Sequence, residues 1–193
     1  MNSHHAMVHL PQTITEKKVK IIHLIRNPKD ALVSYFFHVN SKRELLTFQE
    51  LFDTYLTNNL SIPHQLDYLR QMQAWQRGNP EHPVMNMYYE DMKIRPLEVT
   101  QTLARFLGLD VTEQFCQEIV NACSFDQMKS DHDLKEHPDF LKSSSVPKNP
   151  GPKFYRKGQV GDWKNHLTVA QNERFDAFIQ TESKGLDFTF TYI

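Results

Sequence analysis

Val19 to Val39 reads VKIIHLIRNPKDALVSYFFHV and constrains the fold more than any other stretch of the chain. Val19 to Ile25 is a short apolar run with β-branched residues, preceded by the charged Glu16-Lys17-Lys18, and predicts a buried strand. The strand ends at Arg26. Asn27 suits an N-cap, Pro28 the first helical position, and Asp30 the first turn, where negative charge complements the helix dipole. Ala31, Leu32, Tyr35 and Phe36 then repeat at helical spacing. Arg26 therefore sits at the carboxyl end of a strand, where open α/β sheets bind ligands. Ser34, two turns into the helix, could share an anion with Arg26 if the helix folds back beside the strand. On local pattern alone, Arg26 serves equally as a surface arginine that caps a turn.

Composition narrows the function classes. The chain of 193 residues fits one domain, residues 1–193, and its 39% hydrophobic and 23% charged content suits a globular protein with a proper core. A net charge of −1 gives no field for nucleic acid or an acidic membrane. No apolar run reaches membrane-spanning length, and the first residues carry no signal-peptide core. Two cysteines, Cys116 and Cys123, make no disulfide framework, so the default compartment is a reducing cytosol. None of the six glycines precedes Gly78, so an early glycine-rich phosphate loop is missing, and MNSHHAMVHL reads as the start of a piece that has lost its beginning.

Further elements follow in order. His5 and His9 have metal-chelating spacing if helical, but no Cys, Asp or Glu lies nearby to complete a shell. Phe48, Leu51, Phe52, Tyr55 and Leu56 form one helical face. Leu66, Leu69, Met72 and Trp75 line another, which stops at Gly78-Asn79-Pro80 and reads as core. Val84 to Tyr88 is a second strand, followed directly by Tyr89-Glu90-Asp91-Met92. On an extended chain Glu90 and Asp91 point opposite ways and read as structural. Pro96 to Leu107 is a helix closed by Gly108. Thr112 caps a helix running to about Ala122, with Phe115, Ile119 and Val120 inside. Lys129 to Pro152 is long, polar and without helix or strand signal, a length that marks a functional or mobile loop. Arg156-Lys157-Gly158 then joins two cations to a flexible glycine, fit to wrap an anion. Phe175, Phe178 and Ile179 anchor a final helix, and the tail from Gly185 is extended.

RNPKDALVSY, YEDM, Ser124-Phe125 and RKGQVGDWKN stand in the order in which similar phrases occur in the cytosolic sulfotransferases, a family the chain resembles over nearly all its residues. The resemblance implies a P-loop-NTPase-like α/β fold, a parallel sheet flanked by helices, here lacking the N-terminal phosphate-loop strand and helix. It implies sulfuryl transfer from 3′-phosphoadenosine 5′-phosphosulfate to a hydroxyl or amine of a small acceptor, without a metal. Arg26, Ser34, Ser124, Arg156, Lys157 and Gly158 would hold the 3′-phosphate, and Tyr89 and Phe125 the adenine. Cys123 departs from the family's threonine. The register of LPQTITEKKVKIIHLIRN leaves His4 on the position of the catalytic base, with His9, followed by Leu10-Pro11, as the alternative. Lys164, Thr168, Val169 and Glu173 match the family's dimerisation motif and imply a homodimer; Thr168 also serves simply as a helix cap. The stretch before Arg156 would be a lid. With the donor-binding loop missing, the chain is expected to be cytoplasmic and inactive alone. A catalytically dead nucleotide-binding or dimerising module is the alternative; a P-loop kinase relative is disfavoured by the absent glycine loop and the Arg-Lys-Gly segment.

Overall fold

The computed structural model describes His5 and residues 7–40, 46–57, 65–134 and 155–192. Its centre is a parallel pair, β1 (Ile21–Ile25) and β2 (Val84–Tyr88), in the register Ile21↔Val84 to Ile25↔Tyr88. A single step beyond that register sets Arg26 beside Tyr89. β1 starts two residues later than the apolar run suggests. Val19 instead donates its N–H to the Ile14 carbonyl at 3.0 Å, closing the turn after α1 (Thr13–Glu16), and Lys20 reaches the Leu107 carbonyl at 2.7 Å. The strand is also not buried on both faces. His23 and Ile25 are buried, whereas Ile22 and Leu24 on the opposite face are 43% and 55% exposed.

The core lies on the His23/Ile25 face. α2 (Pro28–Asn40), α3 (Phe48–Leu56), α4 (Gln65–Gly78) and α9 (Val169–Glu182) meet there through Leu32, Phe52, Leu66, Leu69, Phe175 and Ile179. Phe175 packs edge-on against Phe52 and Tyr55 at 5.8 and 5.5 Å between ring centroids, a geometry aromatic pairs favour. Met72 is buried as core, as its helical spacing implies. Capping boxes start α3, at Thr47 and Glu50, and α9, at Thr168 and Gln171. The tail after α9 is irregular, buries Phe188, and offers the Thr191 carbonyl to the Asn27 amide.

On the other side, β2 runs directly into α5 (Tyr89–Ile94) and then α6 (Pro96–Leu107), which Gly108 closes in the left-handed region at φ 79°. α7 (Glu113–Ala122) is capped by Thr112 as its sequence indicates. Its apolar stripe is not inside, however. Phe115 and Ile119 are 48% and 37% exposed, and Cys116 is the buried residue. α7 packs on α6 and α8 (Phe125–Leu134), which among the described residues leaves Phe115 and Ile119 largely uncovered. α8 also corrects the reading of Lys129 onward as structureless, since residues 129–134 continue a helix that Ser124 caps. Residues 135–154, the rest of the expected lid, lie outside the described residues.

Candidate functional site

The strand-to-helix turn after β1 divides its labour residue by residue. Asn27 is fully buried; its side-chain oxygen accepts from Lys29 N at 2.9 Å, and its own N–H donates to Glu90 Oε1 at 2.9 Å. Pro28 takes the first helical position, where a missing N–H costs nothing. Lys29 turns inward to Asp176 at 2.5 Å and Asn172 at 2.6 Å, its ammonium 4.4 Å from the Trp163 ring centre. Asp30, buried, accepts from the backbone N–H groups of Gly161 at 2.7 Å and Trp163 at 3.0 Å. The sequence suggested only a helix-dipole role for Asp30. In the fold it clamps the loop 155–161 and the 3-10 turn Asp162–Asn165 onto α2. Glu90 and Asp91 begin a helix rather than lying on an extended chain, yet both are structural: Glu90 caps the turn, and Asp91 pairs with Arg95 at 2.9 Å.

Arg26 faces the other way. Its guanidinium lies 4.3 Å from the Tyr89 ring centre, makes a long 3.5 Å contact with the Gln159 carbonyl, and keeps a buried Nε without a partner. Gln65 holds the Arg26 carbonyl at 2.5 Å, which fixes the backbone at the strand's end. Burial raises the pKa of the Tyr89 hydroxyl, and the charge of Arg26, with that of Arg156, pulls against it.

The loop carrying Arg156-Lys157-Gly158 closes over this end of the sheet. Arg156 sits 4.5 Å from the Phe37 ring centre on α2 and pairs with Asp162 at 2.6 Å; Lys157 pairs with the same carboxylate at 2.7 Å. Burial alone would raise the pKa of Asp162, but the hydrogen bonds from Lys157, Asn165 and Arg156 outweigh it and hold the group well below the usual carboxylate range. Gly158 has φ 63°, and a Cβ placed there would lie 2.1 Å from the Phe125 ring. Phe125 thus stacks on a glycine backbone, with Lys93 5.7 Å from its ring centre.

Arg26, Tyr89, Phe125, Arg156, Lys157 and Gly158, from four separate stretches, are therefore gathered at the carboxyl end of the two strands. Two predicted partners are not joined to them. Ser34 is half-buried on α2 and Ser124 is exposed, its hydroxyl accepting from Gln127 N at 3.3 Å as the cap of α8. No hydrogen bond joins either of them to Arg26, Arg156 or Lys157 among the described residues. His4 lies outside the described residues; His9 is exposed at the end of the 3-10 turn Met7–His9. Asp30, Asp162 and Lys93 are the site residues that sequence reasoning missed. The first two lie within RNPKD and GDWKN, but residue spacing does not show that their carboxylates turn inward. Among the described residues no group of three or more His, Cys, Asp or Glu is placed to hold a metal ion, and no helix is long and apolar enough to cross a membrane.

Cations collected where parallel strands end are the arrangement by which open α/β proteins bind ligands beyond their strands. The chain belongs to the sulfotransferase family, the sulfotransferase domain model matching residues 1–187. It is 33% identical to Sulfotransferase 1B1 of Canis lupus familiaris over 98% of this chain and 63% of that protein. It is 32% identical to Sulfotransferase 1A1 of Rattus norvegicus over 98% and 64%. Among solved structures it is similar to mouse sulfotransferase SULT7A1 complexed with PAP, at TM-score 0.76 and 26% identity, covering 96% of this chain and 65% of that one. A retinol dehydratase in complex with androsterone and inactive cofactor PAP aligns at TM-score 0.81 over 97% of this chain and 53% of the other; at 19% identity this likeness speaks for the fold alone. The chain thus spans less than two thirds of the length of each of these proteins.

Proposed function

We propose that this chain, as one domain over residues 1–193, recognises the 3′-phosphorylated adenosine nucleotide of sulfuryl transfer, 3′-phosphoadenosine 5′-phosphosulfate. One observation carries the reading: Arg26, with a buried Nε that has no partner, faces the carbonyl of Gln159, which follows the cations Arg156 and Lys157 in the same loop. Arg26, Arg156 and Lys157 hold the 3′-phosphate, Tyr89 and Phe125 receive the adenine, and the hydroxyls of Ser34 and Ser124 complete the phosphate shell. The acceptor is a small hydroxyl or amine compound, and His4 is the base that takes its proton as it attacks sulfur. Sulfuryl transfer otherwise asks the protein for alignment and charge stabilisation, as phosphoryl transfer does, with no metal required by this reading.

Two further parts of the reading rest on separate observations. Val169, 76% exposed at the start of α9, has exposed Lys164 and Glu173 near it in sequence, which supports a homodimer through Lys164, Thr168, Val169 and Glu173. Cys116 and Cys123 are free thiols, in keeping with a cytoplasmic protein. Because no glycine precedes Gly78, these 193 residues hold no glycine-rich loop for the 5′-phosphosulfate, and the chain is read as a nucleotide-binding unit without turnover of its own.

Calorimetry with adenosine 3′,5′-bisphosphate and with AMP tests the reading. Each charge-assisted hydrogen bond contributes roughly 1.5–3 kcal/mol. Arg26→Ala and Arg156→Ala should therefore weaken the bisphosphate about tenfold or more, and far more than AMP. Equal losses for both nucleotides would remove the phosphate assignment, and sulfuryl transfer by the unchanged chain from labelled donor to a phenol would remove the statement about turnover.

A further inference from the structure

Arg156 and Lys157 are adjacent in the chain. Like charges on neighbouring residues repel, and adjacent side chains on an extended segment point apart. Here they converge, because each meets one oxygen of the same carboxylate: Arg156 Nη1 lies 2.6 Å from Asp162 Oδ2, and Lys157 Nζ 2.7 Å from Oδ1. The carboxylate is itself fixed. Asn165 donates to Oδ1 at 2.9 Å, His166 Nε2 lies 3.2 Å from Oδ2, and the flanking N–H groups of Gly161 and Trp163 are tied to Asp30. Exposure separates back from front. The Asp162 side chain is 1% exposed, whereas those of Arg156 and Lys157 are 23% and 42% exposed. The carboxylate is held away from solvent, while both cations keep part of their side chains exposed. A guanidinium has five N–H donors and an ammonium three, enough to serve the carboxylate behind and an anion in front.

We infer that Asp162 is a positioning residue for anion recognition: it stays paired with Arg156 and Lys157 while they bind a phosphate, and sets the two cations at one spacing for it. The inference rests on the reading of those cations as ligands of the 3′-phosphate. It opposes the simpler idea that Asp162 is a stand-in anion that an incoming phosphate must displace. The two ideas differ in sign. Asp162→Asn raises the net positive charge of the cluster, so displacement of a competitor predicts tighter phosphate binding; loss of a positioning group predicts weaker binding in spite of the added charge.

Titration calorimetry with adenosine 3′,5′-bisphosphate and AMP decides between them. Asp162→Asn should weaken the bisphosphate about tenfold and change AMP less than about twofold, the scale of one charge-assisted contact. In an Arg156→Ala/Lys157→Ala background the same substitution should have no further effect on the ratio, a result that mere loosening of the fold would not give. Unchanged or tighter bisphosphate binding in Asp162→Asn overturns the inference and leaves the phosphate assignment standing. If the unsubstituted chain itself fails to prefer the bisphosphate over AMP, the assignment falls and the inference with it. Should Asp162→Asn not fold, the unsubstituted chain gives the answer by NMR. The coupling across the Lys157 Nζ to Asp162 carboxylate hydrogen bond persists on saturation with bisphosphate if Asp162 positions the clamp. Its disappearance overturns the proposal.

Discussion

Replacing Gly158 with alanine tests whether the glycine serves the adenine side of the site or the phosphate side. The added Cβ would fall 2.1, 2.6 and 2.7 Å from three carbons of the Phe125 ring. Ordinary carbon contacts begin near about 3.5 Å, so the ring must retreat by roughly 1.4 Å. Phe125 is half-buried at the start of α8, and a side chain so placed yields more readily than the backbone it stacks on. The backbone carries a second cost: at φ 63° an alanine is disfavoured by roughly 1–2 kcal/mol. Base–aromatic stacking contributes about 1–3 kcal/mol per base. Gly158→Ala should therefore weaken adenosine 3′,5′-bisphosphate and AMP alike, unlike Arg156→Ala, and lower thermal stability modestly. In a Phe125→Ala background the clash disappears, and Gly158→Ala should then cost only the backbone term. Calorimetry of the four proteins gives the coupling directly. A loss confined to the bisphosphate, or the same loss with and without the Phe125 ring, would refute the stacking role and return Gly158 to the phosphate.

Two other outcomes are expected. If the chain dimerises through this motif, Val169→Glu should convert the dimer to monomer in analytical ultracentrifugation without unfolding it, since a small interface tolerates a central like-charge pair poorly; a monomeric unsubstituted chain or an unchanged dimer in the variant counts against the motif. His23 should make the fold acid-sensitive. It is buried 5.6 Å from the Tyr68 and 5.8 Å from the Phe188 ring centres, its Nε2 has no partner, and burial lowers its pKa below 6.5 against the opposing hydrogen bond to Asn86. Above pH 6.5 folded and unfolded chains both hold it neutral; below, the unfolded chain takes up a proton that the folded chain resists. Stability is then lost as pH falls, by at most about 1.4 kcal/mol per unit for one proton, until the folded pKa is passed. Urea midpoints at pH 7 and 5 should diverge less in His23→Gln than in the unsubstituted chain, and an identical divergence would assign the acid sensitivity elsewhere.

The parts of this molecule that sequence made legible are those in which local chemistry decides. The Asn27-Pro28 start of α2, the Thr112 and Thr168 caps and the Gly108 stop each follow from one residue's backbone preference, and β2 spans Val84–Tyr88 as its sequence indicates. What escaped depends on contacts across long separations. Periodicity places Phe115 and Ile119 on an apolar stripe, but whether a stripe is covered depends on what packs against it, and among the described residues α6 and α8 leave these two largely exposed. The same holds for Ile22 and Leu24, apolar residues whose strand has one covered face.

The phrase RNPKD shows most clearly why a motif can be recognised without being understood. Arg26 alone turns to the Tyr89 ring at the carboxyl end of the strands, while Asn27, Lys29 and Asp30 are among the most buried polar residues described. Burying three such groups is tolerable only because each is fully engaged: Asn27 with Glu90, Lys29 with Asp176 and Asn172, Asp30 with Gly161 and Trp163. Those partners belong to α5, to α9 and to the loop carrying Arg156 and Lys157. One short turn thus fixes the second strand's helix, the final helix and the cationic loop relative to Arg26. A substitution at Asp30 acts on the site as surely as one at Arg26, although Asp30 has no donor to offer an anion. The phrase is compact in sequence because a single strand-to-helix turn is the place from which all three elements can be reached.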